Sequence, residues 1–485
     1  MSRAQQERVL PGSSFSRGRD YLLRVKLVLA LCAALLGFSA DALAADKPTR
    51  PNFVFLLVDD LRWNALGFMG DKIVQTPNLD RLAARSLVFD NCFVTTSICS
   101  VSRASFFTGQ WMRRHGIEDF IKGLNGAAWD NTYPAQLRSA GFRTGFIGKY
   151  GVGSVQETSA KSAAFDYWKG LPGQGGRLFI EPNDPTRTHK TAKFGNEALE
   201  FLGGCTKEKP FCLSLSFNAV HARDAEPREF EPDPRDEKLY EDVTIPVPKL
   251  ATHEAFKRLP ESVQKSEGRT RWRWRFDSPE KTQRILRDYY RLITGVDREV
   301  GRIVAELEKR GLADNTVILF VGDNGFAFGD RGMADKWFMY EEDIRVPCFI
   351  FDPRLPKSAV GRRSAAMVLN VDFAPTMLDM AGVPVPGVMQ GRSLVPHLKG
   401  QPPKDWRTEF FYEHHSVAAR IPMSEGVRTE RWKYLRWIAE TPVKEELYDL
   451  LADPLEERNL LGDAKHSALL AELRGKWERY GQSLK

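Results

Sequence analysis

Cys99 and Arg103 are the first residues of the 485-residue chain whose types and spacing suggest chemistry. They stand four apart in Cys99-Ser100-Val101-Ser102-Arg103-Ala104-Ser105-Phe106-Phe107-Thr108-Gly109, after an apolar, Thr-rich approach from Val88 to Ile98. A cysteine entering a helix meets free backbone N–H groups that stabilise its thiolate, and an arginine one turn on adds positive charge. Together they describe an anion site with a sulfur nucleophile at its mouth. Taken alone, the plainer reading is a buried thiol beside a solvated arginine.

Four other places put polar side chains just after a run that reads as a strand. Asp59-Asp60 close Pro51–Val58, Lys149 follows Phe142–Ile147, His221 follows Phe211–Phe217, and Asp323-Asn324 follow Thr316–Val321. Pro51–Val58 and Thr316–Val321 are continuous apolar runs, which read as strands buried on both faces, as in a parallel sheet. Ligands of open α/β sheets bind at the carboxyl ends of such strands. Three carboxylates and an amide oxygen, with no cluster of histidine or cysteine beside them, make a hard oxygen site, which favours Ca²⁺ or Mg²⁺ over zinc. Each pair on its own also reads as ordinary turn chemistry.

The elements needed to position these groups are legible. Leu79–Ser86, Tyr133–Ala140 and Ala192–Leu202 read as helices, Val88–Val94 and Pro347–Phe351 as further strands, and Val371–Ala381 as a helix stopped by Gly382. The strongest helical pattern runs from Arg284 to Arg310, with apolar residues at 285, 289, 292, 296, 300, 303 and 307 and a stop at Gly311. Helices alternating with buried strands predict an α/β fold with crossover connections. Thr408–Tyr412, Gly426–Trp437 and Glu446–Asp449 are short strand candidates, followed by a helix over Ala464–Tyr480. They predict a small C-terminal α+β subdomain over 396–485, after a larger α/β domain over 45–395.

In their joint order these pieces resemble the sulfatase family of the alkaline phosphatase superfamily, over most of residues 50–460. The family hallmark C/S-x-P-S-R with a following T-G pair is matched by Cys99-Ser100-Val101-Ser102-Arg103 and Thr108-Gly109. Asp59-Asp60, Gly148-Lys149, Asp323-Asn324-Gly325, Lys336 in DKWFMYEEDIRVP and the closing GVRTERWKYLRW…EELYDLLADPLEERNL support it, the last being typical of bacterial members. The resemblance implies an alkaline-phosphatase-like fold, a large and mostly parallel mixed sheet sandwiched by helices. It also implies that a maturation enzyme oxidises Cys99 to formylglycine. Asp59, Asp60, Asp323, Asn324 and the modified Cys99 would then ligate a divalent cation, Ca²⁺ first and Mg²⁺ second. Arg103, Lys149 and Lys336 would neutralise the sulfate, His221 would protonate the leaving alcohol, and Asp323 would assist the attacking hydroxyl. The substrate implied is a sulfated carbohydrate, a glycosaminoglycan or another sulfated glycan. A phosphatase or phosphonate hydrolase of the same superfamily, and a non-catalytic glycan-binding protein with Cys99 unconverted, stand as alternatives.

Two positions depart from the family pattern. Val101 replaces the hallmark proline that the maturation enzyme reads. Gly151, in Gly148-Lys149-Tyr150-Gly151-Val152-Gly153, stands where many members have a histidine, and His115 is one residue that could substitute. Residues 222–280, rich in proline and charge, form a long excursion. In it Arg271, Arg273 and Arg275 alternate with Trp272, Trp274 and Phe276, either as a strand with one aromatic face packed down or as a grip on an anionic sugar. Glu413, His414, His415 and Arg420 are further candidates for sugar contact.

Composition sets the remaining bounds. With 42% hydrophobic and 27% charged residues the chain can bury a large core without staples. Its net charge of +7 falls to +4 without residues 1–44, and it has no lysine-rich tail, so nucleic acid is not an expected partner. Arg24 and Lys26 precede the apolar run Leu27–Ala40 and then Ala42-Leu43-Ala44, which reads as an export signal over residues 1–44. Such a run is short for a membrane span, so the expected fate is periplasmic or secreted, without a stable anchor. Of the six cysteines, Cys32 leaves with the signal; a Cys205–Cys212 bridge is conceivable, and Cys99 is the natural odd one out.

Overall fold

Strand β1 (Asn52–Val58) shows how the molecule is layered. Its side chains alternate between two cores. Phe53, Phe55 and Leu57 point into one, with Phe106, Phe107 and Phe373. Val54, Leu56 and Val58 point into the other, with Phe194, Phe201, Leu286 and Tyr289. A strand apolar at every position is thus explained by a sheet covered on both faces. A computed structural model describes Arg50 to Lys485 except residues 177, 178, 182, 357, 358 and 360. The signal segment expected at 1–44 lies outside the described residues.

After β1 come helix α1 (Pro77–Ala83), β2 (Leu87–Phe93), α2 (Cys99–Thr108), α3 (Tyr133–Ser139), β3 (Arg143–Lys149) and β4 (Tyr167–Leu171). Then follow α4 (Lys190–Gly203), β5 (Phe211–Phe217), α5 (Glu267–Arg275), the long α6 (Pro279–Lys309) and β6 (Thr316–Gly322). Two short strands, β7 (Ala327–Phe328) and β8 (Ala334–Asp335), precede β9 (Arg345–Phe351), β10 (Arg362–Leu369) and α7 (Phe373–Met380). The main sheet has eight strands in the order β10-β2-β9-β6-β1-β5-β3-β4. Only β9 runs antiparallel to its neighbours, β2 and β6. The expected mostly parallel mixed sheet between helices is therefore what forms.

Strands β6, β1, β5 and β3 are consecutive in the sheet and mutually parallel. Their carboxyl ends carry Asp323, Asp59-Asp60, His221 and Lys149, so sheet order alone gathers residues up to 264 positions apart. Backbone pairing continues past the strands: Asp59 N donates to Ala219 O at 3.2 Å, Val220 N to Asp59 O at 2.8 Å, and Asp323 N to Val58 O at 2.9 Å.

The C-terminal region forms an antiparallel sheet of β11 (Glu409–His414), β12 (Ser424–Thr429), β13 (Trp432–Trp437) and β14 (Lys444–Asp449), with helix α8 (Ser467–Ser483) beside it. The single strand expected over Gly426–Trp437 is two strands of a hairpin, because Glu430 and Arg431 turn the chain. Phe410, Phe411, Tyr412 and Tyr434 enter the same core as Phe55 and Phe106. No helix among the described residues is long and apolar enough to cross a membrane. Cys205 and Cys212 are both free thiols, as are Cys92, Cys99 and Cys348.

Candidate active site

Helix α2 begins at Cys99, with Ile98 extended just before it and Gly109 in the left-handed conformation ending it. All ten of its residues are buried. The helix starts at the carboxyl ends of the central strands and packs Phe106 against Phe55 of β1, so its first five residues carry Cys99 and Arg103 to the strand-end residues. Cys99 Sγ lies 3.3 Å from Asp59 Oδ1 and 3.8 Å from Asp60 Oδ1. Burial first, then the charge of Asp59, pushes the Cys99 thiol well above its ordinary pKa. The thiolate expected from the helix N-terminus and Arg103 is therefore not favoured, because desolvation and the carboxylates outweigh them. As an unmodified thiol, Cys99 is a poor nucleophile.

Arg103 is 1% exposed and works as a bracket. Its Nε donates to Asp323 Oδ2 at 2.8 Å, Nη1 donates to the Lys149 carbonyl and to Ser216 Oγ, and Nη2 stands 3.6 Å from Asp59 Oδ2. Lys149 Nζ donates to Asp59 Oδ2 at 2.6 Å. Lys336 Nζ donates to Asp60 Oδ1. Three carboxylates (Asp59, Asp60, Asp323) thus face three cations (Arg103, Lys149, Lys336), all almost fully buried. Burial would raise the pKa of Asp59, but Lys149 and Arg103 outweigh it and hold the carboxylate well below its usual range. Asp323 goes the other way. Burial, with Asp59 and Asp60 close by, pushes it up to about 7 against the pull of Arg103.

His221 completes the group. Its Nε2 is 3.6 Å from Asp60 Oδ2, and its Nδ1 is 2.6 Å from the Ala222 carbonyl, to which it donates. Burial lowers its pKa despite Asp60. Asp59, Asp60, Cys99 and His221 each bring a ligand atom within 4.8 Å of the others. Asp60 Oδ2 and Asn324 Oδ1 are buried oxygens without a hydrogen-bond partner, and Asn324 Nδ2 donates to Asp60 Oδ1 at 2.7 Å. Unpartnered hard oxygens beside further carboxylates are the donor set of an oxygen-loving divalent cation. The residues present fit such an ion. Every strand-end residue expected from the sequence, together with Cys99, Arg103 and Lys336, converges here.

Other expectations fail for clear reasons. His115 lies apart in a tie of its own: Nε2 is 3.2 Å from Ser105 Oγ and Nδ1 accepts from Ile117 N at 3.0 Å. Burial lowers its pKa to about 3, and it is a neutral core histidine. Arg271 and Arg275 lie on a helix, not a strand, and face buried carboxylates; only Arg273 of the three is exposed. Four residues apart, Arg271 and Arg275 share one helical face, which a two-residue period conceals. Glu413 is buried against Arg113 at 2.6 Å, and His414 is buried too, so neither is placed to meet a sugar. Glu413, His415 and Glu425 cluster closely enough to hold an ion, but Arg113 already pairs with Glu413 and, at 2.8 Å, with Glu425. Sequence reasoning missed Ser216, which holds Arg103, and Asp335, which flanks Lys336. A polar residue inside the apolar run FCLSLSF was the available signal for Ser216.

The chain is similar to known proteins over most of its length. Residues 51–383 match the family model described as sulfatase, and residues 329–482 match that described as N-sulphoglucosamine sulphohydrolase, C-terminal. The chain is 30% identical to an N-acetylglucosamine-6-O-sulfatase of Bacteroides thetaiotaomicron, with 92% of this chain and 89% of the relative covered. It is 27% identical to the iduronate 2-sulfatase of Mus musculus over 93% of this chain and 97% of that one. Among solved structures, a protein in complex with its substrate D-glucosamine-2-N,6-O-disulfate superposes with a TM-score of 0.76 at 30% identity, covering 90% of this chain and 98% of that one. The phosphonate monoester hydrolase of Agrobacterium radiobacter shares the fold at a TM-score of 0.73 and 21% identity, covering 90% and 96%. The chain belongs to the sulfatase family.

Proposed function

We propose that this protein hydrolyses the sulfate ester of a sulfated carbohydrate, with a sulfated glucosamine as the first candidate. The observation that carries the reading is the convergence of three carboxylates and three cations on Cys99 at four adjacent strand ends. The likeness at 30% identity to an N-acetylglucosamine-6-O-sulfatase supports the sugar class. Asp59, Asp60, Asp323, Asn324 and the modified Cys99 would hold a divalent cation, Ca²⁺ first and Mg²⁺ second, whose chemistry is neutralisation of charge on the sulfate. Formylglycine made from Cys99 by a maturation enzyme would supply a hydrated aldehyde, with one hydroxyl to attack sulfur and a second through which sulfate is expelled.

The remaining work falls to the chain's own side chains. Arg103, Lys149 and Lys336 bind the nonbridging sulfate oxygens and stabilise the charge that develops on them. Fixed by its bonds to Asp323, Ser216 and the Lys149 carbonyl, Arg103 needs little reorganisation to do so. Asp323, as a carboxylate, accepts the proton of the attacking hydroxyl. His221, whose Nδ1 donates to the Ala222 carbonyl, presents Nε2 to the site and, in its imidazolium form, passes the Nε2 proton to the leaving alcohol. Residues 45–395 are read as the catalytic domain and 396–485 as its C-terminal subdomain, exported behind the signal at 1–44.

The test is a screen for sulfate release from N-acetylglucosamine 6-sulfate, glucosamine 2-N,6-O-disulfate and other defined sulfated saccharides, alongside a phosphonate monoester. Mass spectrometry across Cys99 is run on the same preparation. Turnover of at least one sulfated sugar, abolished in Cys99→Ala, is expected. Converted protein that cleaves none of them, or that prefers the phosphonate ester, would overturn the reading.

A further inference from the structure

Lys336 stands on a turn of unusual backbone. Asp335 before it (φ 73°) and Trp337 after it (φ 96°) are both in the left-handed region that favours glycine. Two departures of this kind on either side of one residue persist only where surrounding contacts over-determine them. Those contacts come from helix α5 in the 222–280 excursion. Asp335 is 1% exposed, and its Oδ2 accepts from Arg271 Nη1 at 2.6 Å and lies 2.7 Å from Arg275 Nη1. The Arg271 guanidinium also sits 5.0 Å from the centre of the Trp337 ring. The two arginines are fixed in turn by Asp224, Glu229 and Glu267. In the first turn of α5, a Cβ on Gly268 would fall 2.8 Å from Met333 Cε and 3.4 Å from Ala334 O, so the helix backbone lies directly on this segment. From the other side, Tyr412 Oη donates to Trp337 O at 2.7 Å.

The charges matter as much as the shape. Asp335 is the carboxylate next in sequence to Lys336, and a free carboxylate there would compete with Asp60 and the sulfate for the ammonium. Two guanidiniums on Asp335 remove that competition. We propose that Arg271 and Arg275, acting through Asp335, are positioning residues that hold the strained turn and aim the Lys336 ammonium at Asp60 and the sulfate. The inference rests on the sulfatase reading above and gives the excursion a purpose: it supports the Lys336 side of the site.

Arg271→Gln, Arg271→Lys and Asp335→Asn are made in the full-length, metal-loaded, converted enzyme, each with and without Lys336→Ala. Turnover of the best saccharide from the screen, affinity for inorganic sulfate and thermal unfolding are measured on each. Arg271→Gln and Asp335→Asn are expected to lower kcat/KM by about ten- to a hundredfold, the range for groups that position a reacting neighbour. Arg271→Lys should recover part of that. In the Lys336→Ala background the same substitutions should change kcat/KM and sulfate affinity less than about twofold, because the residue they act through is gone. Equal losses in both backgrounds, or wild-type kcat/KM in Arg271→Gln and Asp335→Asn, would overturn the proposal. Asp335→Asn, close to isosteric, carries the test should the arginine variants not fold. Wild-type activity in Lys336→Ala alone would instead count against the sulfate-binding role of Lys336 in the proposed function.

Discussion

Gly151→Ala is the sharpest probe of how tightly the sulfate-binding side of the site is built. Gly151 occupies φ +72°, where an L-residue costs about 1–2 kcal/mol. Its added Cβ would also lie 2.7 Å from Arg103 Cδ, 3.3 Å from Arg103 Nε and 3.4 Å from Lys149 Cε. Ordinary contact begins at 3.4 Å, so Arg103 must withdraw by a good fraction of an ångström. It has nowhere easy to go, because Asp323, Ser216 and the Lys149 carbonyl hold the guanidinium and the side chain is 1% exposed. Displacing a preorganised group by that much costs up to about a hundredfold in rate, or roughly 2.7 kcal/mol of transition-state stabilisation. Overpacking adds about 1–3 kcal/mol to the loss of stability. The control is Gly382→Ala, at φ +63° with nothing within 4 Å of the new Cβ, which isolates backbone strain. Both variants go through urea unfolding and sulfate-release kinetics. Gly151→Ala should lose more stability than the control and about thirty- to a hundredfold in kcat/KM, with the control unchanged in rate. Identical behaviour of the two variants would refute the argument that Arg103 and the Gly151 backbone are packed against one another.

Further outcomes follow from the buried charges. With its pKa raised to about 7 by burial and by Asp59 and Asp60, Asp323 stabilises the metal-free fold below its ordinary value of 3.8, and this contribution is lost as pH rises through about 7. Metal binding must expel that proton, so Ca²⁺ affinity should rise up to about tenfold per pH unit between about pH 4 and 7 and level off above; calcium-induced shifts in unfolding temperature of equal size at pH 5.5 and 8 would contradict this. Lys149→Ala removes the 2.6 Å partner of a fully buried Asp59, and should lower kcat/KM by about a hundredfold or more, with inorganic sulfate affinity reduced alongside. Arg113→Ala leaves Glu413 and Glu425 buried without their shared cation and should cost about 3 kcal/mol in urea unfolding, with little change in kcat.

The central strands were legible because burial on both faces leaves a continuous apolar run, and each run stops where polar residues begin. Phe211–Phe217 was read without error for that reason, and Pro51–Val58 and Thr316–Val321 within a residue. The edge strands were not. β4 (YWKGL) and β10 (RRSAAMVL) are only partly covered, so their composition resembles that of a loop. The α6 helix was plain from its period, though its start at Pro279 after the Ser278 cap lies five residues before the periodic pattern. In the site, residue types at strand ends could be read, but not their order across the sheet, which alone makes β6, β1, β5 and β3 neighbours. Charge was the least legible. A buried arginine such as Arg275 looks in sequence like a solvated one, since its partners Glu229 and Asp335 are 46 and 60 residues away.

That blindness to partners explains why RWRWR was misread, and it bears on how the site is assembled. The four strand ends and helix α2 supply Asp59, Asp60, Asp323, Lys149, His221, Cys99 and Arg103 from elements fixed by sheet pairing and two covered faces. Lys336 alone comes from a segment just after the minor strand β8, with no main-sheet strand beneath it to hold its direction. A lysine has long, flexible reach and loses considerable side-chain entropy when immobilised. Neutralising Asp60 with a fixed ammonium therefore demands a second scaffold, and Asp335, Arg271, Arg275 and Tyr412 are that scaffold, drawn from the excursion and the C-terminal sheet. Both regions stand outside the sheet-and-helix frame, yet each touches the residues flanking Lys336. Variation in either can thus alter the sulfate side of the site without changing a residue that contacts sulfate.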